Sequence, residues 1–164
     1  MMQVSSRTEY GMRCLLRLAR QEDGKSLSLG DIAQQERLPR PYAHQIMMRL
    51  RRAGFVKSIR GTQGGFALAQ PAGAITVGAI LRVLENVPLE NTCDHFNRRC
   101  DCGHLNECGI RPVWETVARR LWEALDRITL QQLLADEKTV NQTLAVQLPV
   151  LSFVSRAPMP SASS

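Results

Sequence analysis

After Gly54 the spacing of apolar residues changes from a helical period to strict alternation, and this switch constrains the fold of the 164-residue chain more than any other feature. Upstream, residues 7–21 (RTEYGMRCLLRLARQ) place Tyr10, Cys14, Leu15 and Leu18 on one helical face. Ser28, with Asp31 three positions on, is the N-cap of a short helix that runs to about Glu36 and carries Leu29, Ile32 and Ala33 as its apolar positions. Leu38-Pro39-Arg40-Pro41 interrupts the pattern. A third helix follows over 41–53, with Pro41 as its first residue, Ile46, Leu50 and Ala53 facing inward, and Gly54 just past its end. Downstream, 55–60 (FVKSIR) alternates as a strand, 61–65 (GTQGG) turns, and 66–70 (FALAQ) returns as far as Pro71. Helix, helix, turn, helix and hairpin in this order predict a mainly α fold with a small β-hairpin, a winged helix-turn-helix over residues 1–72.

The rest of the chain has a different character. A helix is expected over 75–85 with Thr76 as its cap, then a non-periodic loop from about 86 to 110, then a long helix over 112–134. In that helix Trp114, Ala118, Leu121, Leu125 and Ile128 step by 4, 3, 4 and 3, a heptad seam that needs a partner surface. Residues 73–140 are therefore read as a helix, a loop and a dimerisation helix, so that the chain is expected to act as a homodimer. Residues 141–164, ending in Pro, Ser and Ala, are read as a disordered tail, at least from Ser155.

Charge separates the two halves. Residues 1–72 hold 12 Lys/Arg against 5 Asp/Glu, whereas residues 73–164 hold 9 against 10. A basic module beside a neutral one suits a polyanion. The third helix supplies what a reader of double-stranded DNA needs: Tyr42, His44 and Gln45 in its first turns, where base edges are reached, and Arg49, Arg51, Arg52 and Lys57 to meet phosphates. Arg60, with Thr62 beside it, sits at the hairpin tip like a wing residue entering a minor groove. Taken singly, exposed arginines make a solvated face and a Gly-rich turn is only a turn; their order and coincidence point to DNA. No nucleophile–base pair and no phosphate loop is visible, which argues against an enzyme. No apolar run approaches the roughly 18 residues that span a bilayer, and the first residues lack the apolar stretch of a signal peptide. The expectation is a cytoplasmic protein without membrane contact.

Five cysteines are distributed unequally. Cys14 lies on the apolar face of the first helix and is read as core. Cys93, Cys100, Cys102 and Cys108 fall within sixteen residues of loop, with gaps of 6, 1 and 5. In a reducing compartment such a group is a metal site or redox sensor rather than a disulfide framework. Thiolates suit soft centres, zinc or an iron–sulfur cluster. Zinc modules show two close pairs separated by a dozen or more residues, so this spacing favours a cluster, with zinc and a thiol-only redox switch as the alternatives.

The opening SRTEYGMRCLLRLA, the stretch LPRPYAHQIMMRLRRAGFVKSIRGTQGGFALAQP with its wing RGTQGGF, the helix ITVGAILRVLE, and cysteines followed by PVW together resemble the IscR/NsrR/RirA-type iron–sulfur winged-helix transcriptional regulators, from about Ser6 to Leu134. The resemblance implies a homodimer, a repressor on a pseudo-palindromic operator, with DNA affinity set by an iron–sulfur cluster (2Fe–2S ahead of 4Fe–4S) that senses iron, redox state or nitric oxide. It also implies a cysteine triad with five residues between its second and third members. Matched from its end, that triad is Cys93, Cys102 and Cys108, with Cys100 as the alternative to Cys102. Some members take a fourth ligand from a histidine three residues after the last cysteine; here that position is Arg111, which cannot ligate. Others use a carboxylate near the start of helix 1, donated by the opposite subunit, a position that Glu9 matches, with His95, His104 and Asp101 remaining open.

Overall fold

A computed structural model describes residues 4–21, 25–61, 64–85 and 109–147. The order is α1 (Ser6–Ala19), α2 (Leu29–Gln35), α3 (Arg40–Arg52), β1 (Val56–Ile59), β2 (Gly65–Leu68), α4 (Val77–Leu84), α5 (Ile110–Arg127) and α6 (Glu137–Gln147), with short 3-10 turns at Ala72–Ala74 and Gln132–Leu134. The chain divides into two compact units, with the boundary after Leu134.

Local chemistry sets the helix ends. The side chain of Ser5 caps α1 by accepting from Thr8 N–H, Ser28 caps α2 through Asp31 N–H at 3.1 Å, and Thr76 caps α4 through Ala79 N–H at 3.2 Å. Helix α3 starts one residue before the expected Pro41, so that proline occupies the second helical position. At its other end Gly54 has φ +78°, Gly54 N–H reaches Arg51 C=O and Phe55 N–H reaches Leu50 C=O, both at 3.0 Å. This is the Schellman ending, in which glycine takes the left-handed position without a Cβ clash. Helix α2 closes with the same pair of bonds, Arg37 to Gln34 and Leu38 to Ala33, but the left-handed residue is Arg37, at φ 54°.

The apolar faces converge on one core that includes Cys14, Leu15, Ile32, Ile46, Met47, Leu50, Phe66, Ile80 and Leu84. Ala53, expected inward, is exposed because it is already the C-cap of α3; Ala43 and Met47 are buried on that face in its place. The hairpin pairs Val56 with Leu68 and Ile59 with Gly65. Leu27, just before α2, bonds to Phe66 in both directions, at 3.0 and 2.8 Å, and so adds a third segment to the wing.

The second half departs from the expected long helix. Helix α5 ends at Arg127, and Ile128 is extended. Residues 128–130 turn back to pair with the approach to α4: Val77 N–H donates to Ile128 C=O and Leu130 N–H to Ile75 C=O, each at 2.8 Å. Ile128 and Leu130 are buried there, so the last position of the heptad seam belongs to the core instead. Thr129 and Gln132 then make a capping box, Thr129 N–H to Gln132 Oε1 at 2.9 Å and Gln132 N–H to Thr129 Oγ1 at 3.4 Å. Helices α4 and α5 are locked by Arg82, which gives both guanidinium amines to Asp126 at 2.6 and 2.8 Å and lies over the Trp122 ring at 4.1 Å. Those hydrogen bonds hold the Asp126 carboxyl below its usual range. In the second unit, Asp136 accepts from Thr139 N–H at 2.7 Å and caps α6, so residues 141–147 of the expected tail are helical. Among the described residues no helix is long and apolar enough to cross a membrane.

Gly65 lies where β2 passes closest to residue 27: a Cβ there would stand 2.2 Å from the Leu27 carbonyl oxygen. A backbone obstacle cannot swing aside like a side chain, so Gly65→Ala is expected to break the Leu27–Phe66 bridge and destabilise the fold by about 1–3 kcal/mol. Urea unfolding checks this. The midpoint should fall at unchanged slope.

Candidate nucleic-acid interface

The first three helices are held together by a carboxylate with almost no access to water. Glu36 is only 3% exposed and caps the end of α2. Arg13 Nε donates to its Oε2 at 2.8 Å and Arg17 Nε to its Oε1 at 2.5 Å, both from α1. Burial pushes the Glu36 carboxyl up, but the bonds from Arg17 and Arg13 outweigh it and hold the group below its ordinary value. The turn between α2 and α3 therefore leaves from a point pinned to α1.

From Arg37 to Leu84 the chain contains no Asp or Glu, while Arg37, Arg40, Arg49, Arg51, Arg52, Lys57 and Arg60 all fall between the end of α2 and the wing. His44, Gln45 and Arg52 are exposed on α3, Lys57 is exposed on β1, and Arg60 is exposed just after it. Arg49 is half-buried. Tyr42 is half-buried too, its ring edge-on to Tyr10 with centroids 6.3 Å apart, so it joins the first turn of α3 to α1. Arg51 donates to Ser58 Oγ at 3.3 Å and ties the end of α3 to β1. Thr62 lies outside the described residues. Arg37 and Arg40 belong to the same basic surface and are exposed. Sequence reasoning passed over both because they sit in the interrupting turn and not on a periodic face.

Cys14 is fully buried, and burial pushes its thiol up to about 12. It stays a neutral thiol and serves as core, as its place on the helix suggests. Cys93, Cys100, Cys102 and Cys108, together with His95, His104 and Asp101, lie outside the described residues. The chain enters that segment from Glu85, whose Oε1 accepts the Ser5 N–H at 2.9 Å. Burial pushes the Glu85 carboxyl up, and hydrogen bonds from Thr8 and Ser5 bring it below its ordinary value. Glu85, the last described residue before that stretch, thus lies beside the start of α1, one turn from Glu9. Glu9 is exposed and stands 3.5 Å from Arg13 Nη1. Beyond the stretch, α5 exposes Val113, Trp114 and Val117, each more than half accessible, while Ala118, Leu121 and Leu125 are half-buried.

A family model described as Rrf2, iron-dependent transcriptional regulator, matches residues 4–136. The chain is 32% identical over 135 residues to protein rrf2 of Nitratidesulfovibrio vulgaris strain Hildenborough, covering 82% of this chain and 89% of that protein. Among solved structures it is similar to CymR (YrzC), the global cysteine regulator of B. subtilis, with 33% identity, a TM-score of 0.67, and 83% of this chain and 100% of that one covered. It is also similar to T. potens IscR, with 32% identity, a TM-score of 0.61, and 96% and 94% covered.

If Arg60 meets a phosphate or a minor groove, Arg60→Ala should weaken binding to a duplex selected by the wild-type chain. It should also lower the slope of log affinity against log salt by about 0.9, one counterion's worth. Fluorescence anisotropy across a salt series measures both. Unaltered affinity and slope would remove Arg60 from the interface.

Proposed function

This chain belongs to the Rrf2 family of DNA-binding transcription regulators, which are not enzymes, and from that premise we propose that it is a homodimeric repressor whose operator affinity is controlled by an iron–sulfur cluster. The observation that carries the DNA reading is the surface from Arg37 to Arg60, free of carboxylates and mounted on a helix with His44 and Gln45 exposed. Polar side chains on an exposed helix read base edges, and the surrounding cations supply affinity. A pseudo-palindromic operator suits a two-fold protein, and a cytoplasmic place suits its target.

The cluster reading rests on the donor set. Four cysteines crowd one segment, while the fifth is withdrawn into the core as a neutral thiol. Cys93, Cys102 and Cys108 would hold the cluster, with Cys100 as substitute for Cys102 and Glu9, donated by the opposite subunit, as the fourth ligand. A carboxylate among thiolates fits a cluster left labile toward oxidants. When bound, the group supplies a redox- and iron-sensitive link among these side chains, 2Fe–2S in preference to 4Fe–4S. A thiol-only switch is the second reading, favoured by the similarity to CymR, named as a cysteine regulator.

Dimerisation is assigned to α5. Val113, Trp114 and Val117 present an apolar strip at one end of an 18-residue helix, and a second copy of the same helix would cover it. Trp114→Glu should convert a dimer to a monomer in sedimentation velocity at micromolar concentration. A wild-type chain already monomeric there would reject the assignment.

The cluster is tested by anaerobic purification with visible absorption and iron and sulfide analysis. Brown protein with sulfide is expected, with the colour lost in Cys108→Ser. Colourless protein with stoichiometric zinc, and no reconstitution by iron and sulfide, would sink the cluster in favour of zinc.

A further inference from the structure

We propose that Arg37 and Arg40 each take a phosphate of a DNA backbone at the turn that leads into α3. This rests on the DNA reading and deepens it, since it extends the contact surface from α3 and the wing to the turn that precedes them.

Both arginines occupy places that local energetics disfavours. Arg37 has φ 54°, in the left-handed region, where a Cβ crowds the following carbonyl and glycine is the usual occupant. At the end of α3 the matching place is filled by Gly54, at φ 78°. The chain is anchored on both sides of Arg37, so the conformation is imposed on it. Glu36 is held by Arg13 and Arg17, and Leu38 belongs to the core, with its N–H on Ala33 C=O at 2.8 Å. Arg37 itself is exposed, and among the described residues its side chain has no hydrogen bond or ion pair.

Arg40 opens α3. Helices α1 and α2 carry Glu9 and Asp31 in their first turns, where the positive end of the helix dipole favours acids. Helix α3 has no acid there and starts with a cation, after an N-cap, Pro39, that makes no side-chain bond. Arg40 is exposed and likewise has no side-chain partner among the described residues.

Two cations placed against local preference, three positions apart, have one explanation in common. An anion bound there offsets both costs. The backbone at the start of α3 cannot supply that contact by itself: Pro41 has no N–H, and Tyr42 and Ala43 both donate theirs to Pro39 C=O at 3.0 Å. A phosphate at this helix end must be held by side chains, and a guanidinium meets phosphate oxygens with two parallel N–H groups. No carboxylate follows in the sequence before Glu85. Glu36, just before the turn, is already paired with its two arginines.

The test compares the wild-type chain with Arg37→Gly, Arg40→Gln and the double variant by fluorescence anisotropy across a salt series. The probes are a duplex selected from a random library by the wild-type chain and a scrambled duplex of the same length. Each single variant should lower the slope of log affinity against log salt by about 0.9, and the double variant by about twice that. At about 0.15 M salt each loss corresponds to roughly fivefold weaker binding. The loss should be equal on the two duplexes, because a phosphate contact carries no sequence information. An unchanged slope in either single variant overturns the proposal, as does a loss confined to the selected duplex.

Stability separates this role from a structural one. Arg37→Gly relieves the left-handed backbone, so its urea midpoint should equal or exceed that of the wild type. A lower midpoint would make Arg37 a structural residue and overturn the proposal. Should Arg37→Gly fail to express, Arg37→Asn, which also tolerates this backbone, carries the same measurements. A wild-type chain that selects no duplex defeats the DNA reading and this inference together. Arg37 and Arg40 variants that bind as the wild type does defeat this inference alone.

Discussion

A carboxylate removed from water costs several kcal/mol unless cations and hydrogen bonds replace its hydration, and Glu36 meets that requirement with two arginines from another helix. A leucine at the same place would contribute about 1.5–3 kcal/mol by burial alone, with no demand on geometry. The ion triad's distinct contribution is direction. An apolar contact tolerates sliding, whereas two side-on guanidinium bonds fix where the end of α2 lies along α1. The Schellman ending at Arg37 and the start of α3 three residues later inherit that position. The placement of α3, the proposed recognition helix, follows from it.

The wing is attached to the same body by different means. Leu27 joins β2 through backbone bonds, and Arg51 reaches Ser58 across the junction of α3 and β1. Lys57 and Arg60 are thereby carried on a strand pair whose angle to α3 is fixed from both sides. Their own side chains remain exposed. A hydrogen-bonded frame with exposed cationic tips suits phosphate contact: the frame sets register, and the long side chains reach out to replace a phosphate's hydration.

The sequence made the local features legible: the caps at Ser28 and Thr76, the glycine end at Gly54, the hairpin, and Cys14 as core. These depend on neighbours within four residues, where propensity and periodicity act. The Glu36 triad was not legible, because its partners are 19 and 23 positions away and no local pattern marks them. The early end of α5 was misread for a different reason. Ile128 satisfies both a helical seam and a buried extended segment, so periodicity alone could not choose. The Thr129–Gln132 pair was the available cue, a capping box that announces a new helical start and hence the end of the previous one. Asp136 with Thr139 carried a similar signal for α6. Of the candidate site, the exposed positions of His44, Gln45, Arg52, Lys57 and Arg60 could be read in advance from period and order. The half-burial of Tyr42 could not, since it depends on Tyr10 across the fold.

The placement of acids gives α1 a role beyond packing. Of the carboxylates described in the first 72 residues, Asp31 accepts the Ser28 hydroxyl at a helix cap, and Glu9 and Glu36 both face Arg13. None stands on the surface from Arg37 to Arg60. That segment therefore offers a phosphate backbone cations without an adjoining carboxylate to repel it.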